Sequence, residues 1–126
     1  MIRLVRLFTG PDGQSHFEDG PAPLAAAEPV SALSAPSPAT AIYFEETIAG
    51  AALDWHNDPR RRYVITLAGT VEFETRLGRT FVIGPGDVLL AEDETGGGHR
   101  WRLLGDQPWR RVYVDVPRAA PPTAPG

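Results

Sequence analysis

Few groups in this 126-residue chain can do metal or acid–base chemistry. It has three histidines (His16, His56 and His99) and no cysteine, so disulfides and thiolate metal sites are excluded. Any metal ligand has to be an imidazole or a carboxylate. In Trp55-His56-Asn57-Asp58-Pro59 one of each stands close together. A neutral imidazole offers one nitrogen lone pair to a divalent ion while an acceptor holds its other N–H. Should His56 and His99 meet, Asp58 would complete two histidines and one carboxylate, the facial set suited to non-haem Fe(II) with positions left open for oxygen and substrate. The plainer alternatives are that each histidine satisfies local backbone groups, and that Asn57-Asp58-Pro59 is a turn whose aspartate accepts from nearby amides. Arg60, Arg61 and Arg62 follow directly, with more arginines between 100 and 111. A guanidinium grips carboxylate or phosphate bidentately, so a local anion site is compatible with the net charge of −4, which itself argues against a nucleic-acid partner.

The elements that must position these groups read as strands. Ile2 to Phe8 opens the chain, and Gly10-Pro11-Asp12-Gly13 is a turn. From 41 onward short segments alternate in polarity between Gly, Pro and Asp: 41–46, 62–67, 71–75, 80–83, 87–91, 99–104 and 110–116. Val112, Val114 and Val116 share one face of the last, and Arg111, Tyr113 and Asp115 the other. With no convincing amphipathic helix, the expected class is an all-β sandwich or barrel. Residues 21–40 carry prolines at 21, 23, 29, 36 and 38, which excludes a long regular element and predicts an extended Pro/Ala-rich arm lying on the barrel, burying Leu24, Val30 and Leu33. Residues 118–126 are expected to be a disordered tail, leaving a single domain over 1–117 with its core at about 41–117 and the N-terminal strand and arm over 1–40. Hydrophobic residues at 42% and charged ones at 22% suit a globular protein. No run approaches membrane-spanning length, and the N-terminus lacks the features of a signal peptide, so the expected location is the cytoplasm with no membrane partner.

The frame of Gly50, His56, Asp58, Arg62 and Gly69 resembles the first motif of the cupin superfamily: Gly, five residues, His-x-His, three or four residues, Glu, six residues, Gly. Asp58 stands for the second His and Arg62 for the Glu. Gly86-Asp87-Val88-Leu89-Leu90-Ala91-Glu92 through His99 resembles the second motif, with Glu92 at the usual Pro and Leu103 at the usual Asn. The chain is also similar to a group of small, functionally uncharacterised bacterial cupins through Ser15-His16-Phe17-Glu18-Asp19, Asp54-Trp55-His56, Pro59-Arg60-Arg61, 84–93 and Gly98-His99.

That resemblance implies a cupin double-stranded β-helix (a jelly-roll barrel), a homodimer, and a site at one end of the barrel shared by His56 and His99. The two histidines would be catalytic or would hold Fe, Mn, Ni, Zn or Cu together with Asp58. It also sets Arg62 at an inward position where the family has a metal-binding Glu. A guanidinium there cannot coordinate a cation, so Arg62 either holds an anionic substrate or pairs internally with Glu45, Glu46 or Glu92. Trp101, on the same strand face as His99, is a candidate wall of the substrate pocket, and His16 a candidate cap at its mouth or an ordinary surface histidine. The function expected is a small-molecule enzyme (dioxygenase, isomerase, lyase or cyclase class) acting on an anionic or oxygen-rich substrate. The alternative is a metal-free binding or sensor cupin without catalysis.

Overall fold

Alternation of period two runs through most of the chain, and in the computed structural model, which describes residues 1–118, it is expressed as twelve strands and no helix among the described residues. They are β1 (Arg3–Thr9), β2 (Ser15–Pro21), β3 (Ala25–Glu28), β4 (Ser31–Leu33), β5 (Ala41–Thr47), β6 (Ala52–His56), β7 (Arg62–Ala68), β8 (Thr70–Thr75), β9 (Thr80–Ile83), β10 (Val88–Ala91), β11 (His99–Leu104) and β12 (Trp109–Asp115). One sheet has the order β2-β1-β10-β7-β12-β5 and a second β6-β11-β8-β9, while β3 and β4 form a separate hairpin. Within the first sheet β1 and β10 run parallel, and the other neighbours are antiparallel.

The core lies between the two large sheets. Val5, Leu7, Val64, Leu89, Trp109 and Tyr113 come from the first, and Val71, Phe73, Phe81, Ile83 and Leu103 from the second. All are 7% exposed or less, so each removes most of its apolar area from water, about 1.5–3 kcal/mol for a side chain of this size. Tight turns join the strands where a side chain cannot pass. At Gly69 (φ +90°), between β7 and β8, an added Cβ would meet the Pro108 carbonyl oxygen at 2.6 Å.

The all-β class expected from the sequence is what forms, but the two ladders do not join, so the sheets face each other without closing into a barrel. The chain passes from β6 to β7 through 57–61, where Pro59 has no N–H to give to a ladder. Nor is the N-terminal strand peripheral: β1 lies between β2 and β10, with Val5 and Leu7 fully buried. The arm departs further from expectation. Its strands β3 and β4 are exposed throughout, with Val30 at 94% and Leu33 at 66% exposure, so it does not bury its apolar residues on its own body. The predicted tail lies outside the described residues except for Arg118, which meets Glu94 at 3.0 Å.

At its β7–β12–β5 end the six-stranded sheet sets polar groups among the apolar residues of its inner face, and apolar residues on its outer one. Arg62, Thr66, Arg111, Tyr113 and Asp115 point toward the second sheet. On the outer side Ile42 and Phe44 of β5 stand opposite Val114 and Val112 of β12, which stand opposite Tyr63 and Ile65 of β7. Ile42, Phe44 and Leu67 are 64, 73 and 57% exposed.

Candidate functional site

The two histidines separated by 43 positions of chain meet because β6 and β11 are neighbours and His56 pairs with His99 in register. The approach depends on Gly98, whose φ of +72° and missing Cβ let the backbone come against the His56 carbonyl group. The two rings lie edge to face with centroids 4.5 Å apart. Asp54 accepts a hydrogen bond from His56 Nδ1–H through its carbonyl oxygen at 2.7 Å, which leaves Nε2 of His56 with its lone pair.

His99 is held more firmly. Only 2% exposed, it donates its Nδ1–H to Asp93 Oδ2 at 2.6 Å, and Ser15 of β2 donates its hydroxyl to the same oxygen at 2.6 Å. A carboxylate that already accepts two hydrogen bonds fixes the tautomer, so Nε2 of His99 is the free, basic nitrogen. That nitrogen faces Asp58 Oδ2 at 3.9 Å, too far for a hydrogen bond and open to a third atom between them.

Asp58 is buried at the N-terminal end of β7. Arg62 Nη2 donates to its Oδ1 at 3.3 Å, while Oδ2, like Oδ1 of Asp93, is buried without a hydrogen-bond partner. Burial pushes the Asp58 carboxyl up to about 7, against the pull of His99 and Arg62, and the neighbouring Asp93 pushes the same way. Burial likewise raises Asp93 and lowers His99. Two carboxyls with orphaned oxygens this close need a proton or a cation to be comfortable. One donor atom each from Asp58, Asp93 and His99 lies within 4.8 Å of the others, so this buried cluster can hold a metal ion, with Asp93 where the sequence led to His56. Asp58 is therefore not a turn residue that accepts from nearby backbone amides: Arg62 is the donor to its carboxyl, and Oδ2 has none.

Arg62 points inward, but its partners differ from the three glutamates expected. It donates to the Tyr43 hydroxyl at 3.0 Å and to Asp58, and its guanidinium lies 4.0 Å from the centre of the Tyr113 ring. Tyr43 in turn donates to Asp115 at 2.7 Å. Glu46 pairs with Arg110, Glu92 with Arg6 and Arg61, and Glu45 with Arg111.

These groups open onto a cavity of about 230 Å³ between the sheets. Its walls include Phe73, Trp101 and Trp109, and its polar lining comes from His56, Asp58, Arg62, His99 and Arg111. Trp101 is thus a wall residue, packed edge-on against Trp109 at 5.1 Å. His16 is not among the lining residues: it alternates outward from the buried Ser15, packs near Phe8 and binds Asp12 at 2.9 Å. A larger hollow of about 530 Å³ lies on the other side of the four-stranded sheet, but its charges are already matched as Glu74–Arg100 and Glu72–Arg102, both at 2.9 Å.

Asp93, Ser15, Tyr43 and Arg111 belong to this constellation and were not singled out from the sequence. The available signal was the alternation of β12, which puts Arg111, Tyr113 and Asp115 on one face with Trp109. No family model matches the chain, and no curated protein matches it. Among solved structures it is similar to the conserved SPY1581 protein of unknown function from Streptococcus pyogenes, at 19% identity and a TM-score of 0.45. That match covers 63% of this chain and 65% of the other.

Proposed function

We propose that this chain is a cupin-type enzyme that acts on a small anionic or oxygen-rich molecule in the cavity between its sheets, with the help of a divalent metal ion. The observation that carries the reading is the unpartnered, buried Asp58 Oδ2 facing His99 Nε2 across 3.9 Å, with His99 turned to that task by Asp93. The residues fit a metal: Asp58, Asp93 and His99 offer ligand atoms within 4.8 Å of one another, and one oxygen of each carboxyl lacks a hydrogen bond. Asp58, Asp93 and His99 would hold the ion, and His56, whose ring lies 4.5 Å from that of His99 with its Nδ1 committed to Asp54, would join them as a further ligand. Fe, Mn, Ni, Zn or Cu bound there would supply Lewis acidity or an activated oxygen ligand. The chain's own contribution is to orient the imidazoles through Asp93 and Asp54, to grip an anionic group near Arg62, and to exclude bulk water with Trp101, Trp109 and Phe73. The cupin motif frame and the in-register meeting of His56 with His99 support a cupin double-stranded β-helix as the finer description of the two facing sheets.

One observation favours a second reading. Arg62 Nη2, 3.3 Å from Asp58 Oδ1, places positive charge beside the ligand set, as suits a metal-free binding or sensor cupin that holds an anion without catalysis. Elemental analysis of protein purified without chelator separates the two. The metal reading expects close to one equivalent per chain, lost in His99→Ala. Near-zero metal after loading with each of the five ions would leave the binding-module reading.

The same proposal includes a homodimer formed through the outer face of the six-stranded sheet. A second copy suits that face because the exposed β3–β4 hairpin of each chain carries Val30 and Leu33 away from its own core. No helix of the described residues is long and apolar enough to cross a membrane. A cytoplasmic location with no nucleic-acid or membrane partner completes the reading.

A further inference from the structure

Arg111 is the most deeply buried cation of the inner face, its side chain 2% exposed. It lies flat against the Trp109 ring, with the guanidinium carbon 3.7 Å from the ring centre. Its Nε donates to the Tyr113 hydroxyl at 2.8 Å, and its Nη1 to the Thr47 hydroxyl at 2.8 Å and the Trp109 carbonyl at 3.2 Å. All of these acceptors are neutral. Among the described residues the only carboxylate paired with this charge is Glu45, at 3.0 Å from Nη2. Glu45 stands directly opposite Arg111 in the β5–β12 ladder, on an edge strand, and its side chain is 53% exposed. Both residues line the inner cavity.

A guanidinium withdrawn from water needs an anion, and here that anion hangs at the mouth of the cavity by a single ion pair. Breaking an exposed carboxylate's half of such a pair returns that carboxylate to water at little cost. We propose that Arg111 is a carboxylate-binding residue of the cavity and that Glu45 is its resident stand-in, displaced when a ligand carboxylate enters. The cavity limits that ligand: at about 230 Å³ it lies below the usual range of drug-sized ligand pockets and suits a small molecule of about ten non-hydrogen atoms. Walls of Trp101, Trp109 and Phe73 select a flat, apolar body. The substrate class is therefore a small planar monocarboxylate. This rests on reading the inner cavity as a ligand site, and not on whether that site carries a metal.

The test measures benzoate binding by calorimetry, with benzamide as its neutral counterpart, on the full chain and on Glu45→Gln. Glutamine keeps a hydrogen-bond acceptor toward Arg111 and removes the competing charge. Loss of an intramolecular competitor at millimolar effective concentration should tighten benzoate binding by about ten-fold or more, leaving benzamide unchanged. Adding Arg111→Gln to that variant should abolish the gain. Equal benzoate affinity in parent and Glu45→Gln, an equal gain for benzamide, or no binding of benzoate to either protein would each overturn the proposal. Metal content measured on the same samples keeps the two readings apart: benzoate binding without metal breaks the metal site and leaves the Arg111 subsite standing, and metal without benzoate binding does the reverse.

Discussion

The two faces of the six-stranded sheet depart from the ordinary order of a β-sandwich at one end, over β7, β12 and β5. The inner face, whose apolar core includes Val5, Leu7, Val64, Leu89 and Trp109, also carries Arg62, Arg111, Asp115 and Tyr113. The outer face, charged at Arg6–Glu18 and Arg110–Glu46, also carries Ile42, Phe44, Tyr63, Ile65, Leu67, Val112 and Val114. Burying ion pairs is at best a weak source of stability, and well-packed apolar residues of similar volume often do as well or better. Charges kept inside at that cost point to binding or chemistry, and apolar side chains kept outside point to a surface that is covered when the protein is assembled.

Breaking the inner network should have the largest effect. Arg62→Ala leaves Asp58 without its cation and Tyr43 without a donor, and should destabilise the chelator-treated protein by about 3 kcal/mol in urea denaturation at a pH well above 7, where Asp58 is ionised. A loss below about 1 kcal/mol would mean that the Asp58 carboxyl is protonated and needs no partner. The pH dependence is next in size. In the fold Asp58 holds its proton up to about 7, while in the unfolded chain it loses it near 3.8. The metal-free protein should therefore lose stability from this group as pH rises between those values, by up to about 1.4 kcal/mol per unit. His99, lowered by burial, acts in the opposite sense and contributes a loss as pH falls below its ordinary 6.5. Asp93, also raised by burial, acts in the same sense as Asp58, so Asp58→Asn should reduce the first slope and keep the second; identical slopes in parent and variant would contradict the buried-acid assignment.

On the outer face the expectation is reversed. Phe44→Ser should change the stability of the isolated chain by no more than about 0.5 kcal/mol, yet shift light scattering from dimer to monomer. A parent that is monomeric at all concentrations would remove the interface reading. The smallest effect belongs to the far side of the four-stranded sheet, where Glu72→Ala breaks only the half-exposed pair with Arg102 and should cost less than about 0.5 kcal/mol.

The same mixing of polar and apolar groups on each face bears on what could and could not be read from the sequence. Strands β1, β5, β7, β8, β9, β10, β11 and β12 fall within a residue of their expected bounds, because there alternation and turn punctuation agree. Strand β6 was not expected: its sequence, Ala52-Leu53-Asp54-Trp55-His56, has an irregular pattern, and its ladder with β11 contains a bulge between His99 and Trp101. β2 (Ser15–Pro21) was hidden by its acidic, Gly- and Pro-containing end. Of the site, His56, His99, Asp58, Arg62 and Trp101 were legible through the spacing of two motifs, and they do come together. Asp93 and Ser15 were not, since a positioning carboxylate reaches His99 through the folded chain and leaves no spacing of its own. Arg111 escaped because its strand offers two faces, and the valine face was the natural one to bury. Only the second sheet's position decides that the arginine face lies inside.

The inner face is claimed as a site in which His56 and His99 share one metal ion while His16 takes no part. Titration of the chelator-treated protein with the diamagnetic ion Zn(II), followed by the imidazole proton resonances, tests this most directly. The account predicts that the His56 and His99 signals shift or broaden together and saturate near one equivalent, with His16 unmoved at that point. Undisturbed His56 and His99 signals at several equivalents, or perturbation of His16 alone, would contradict it.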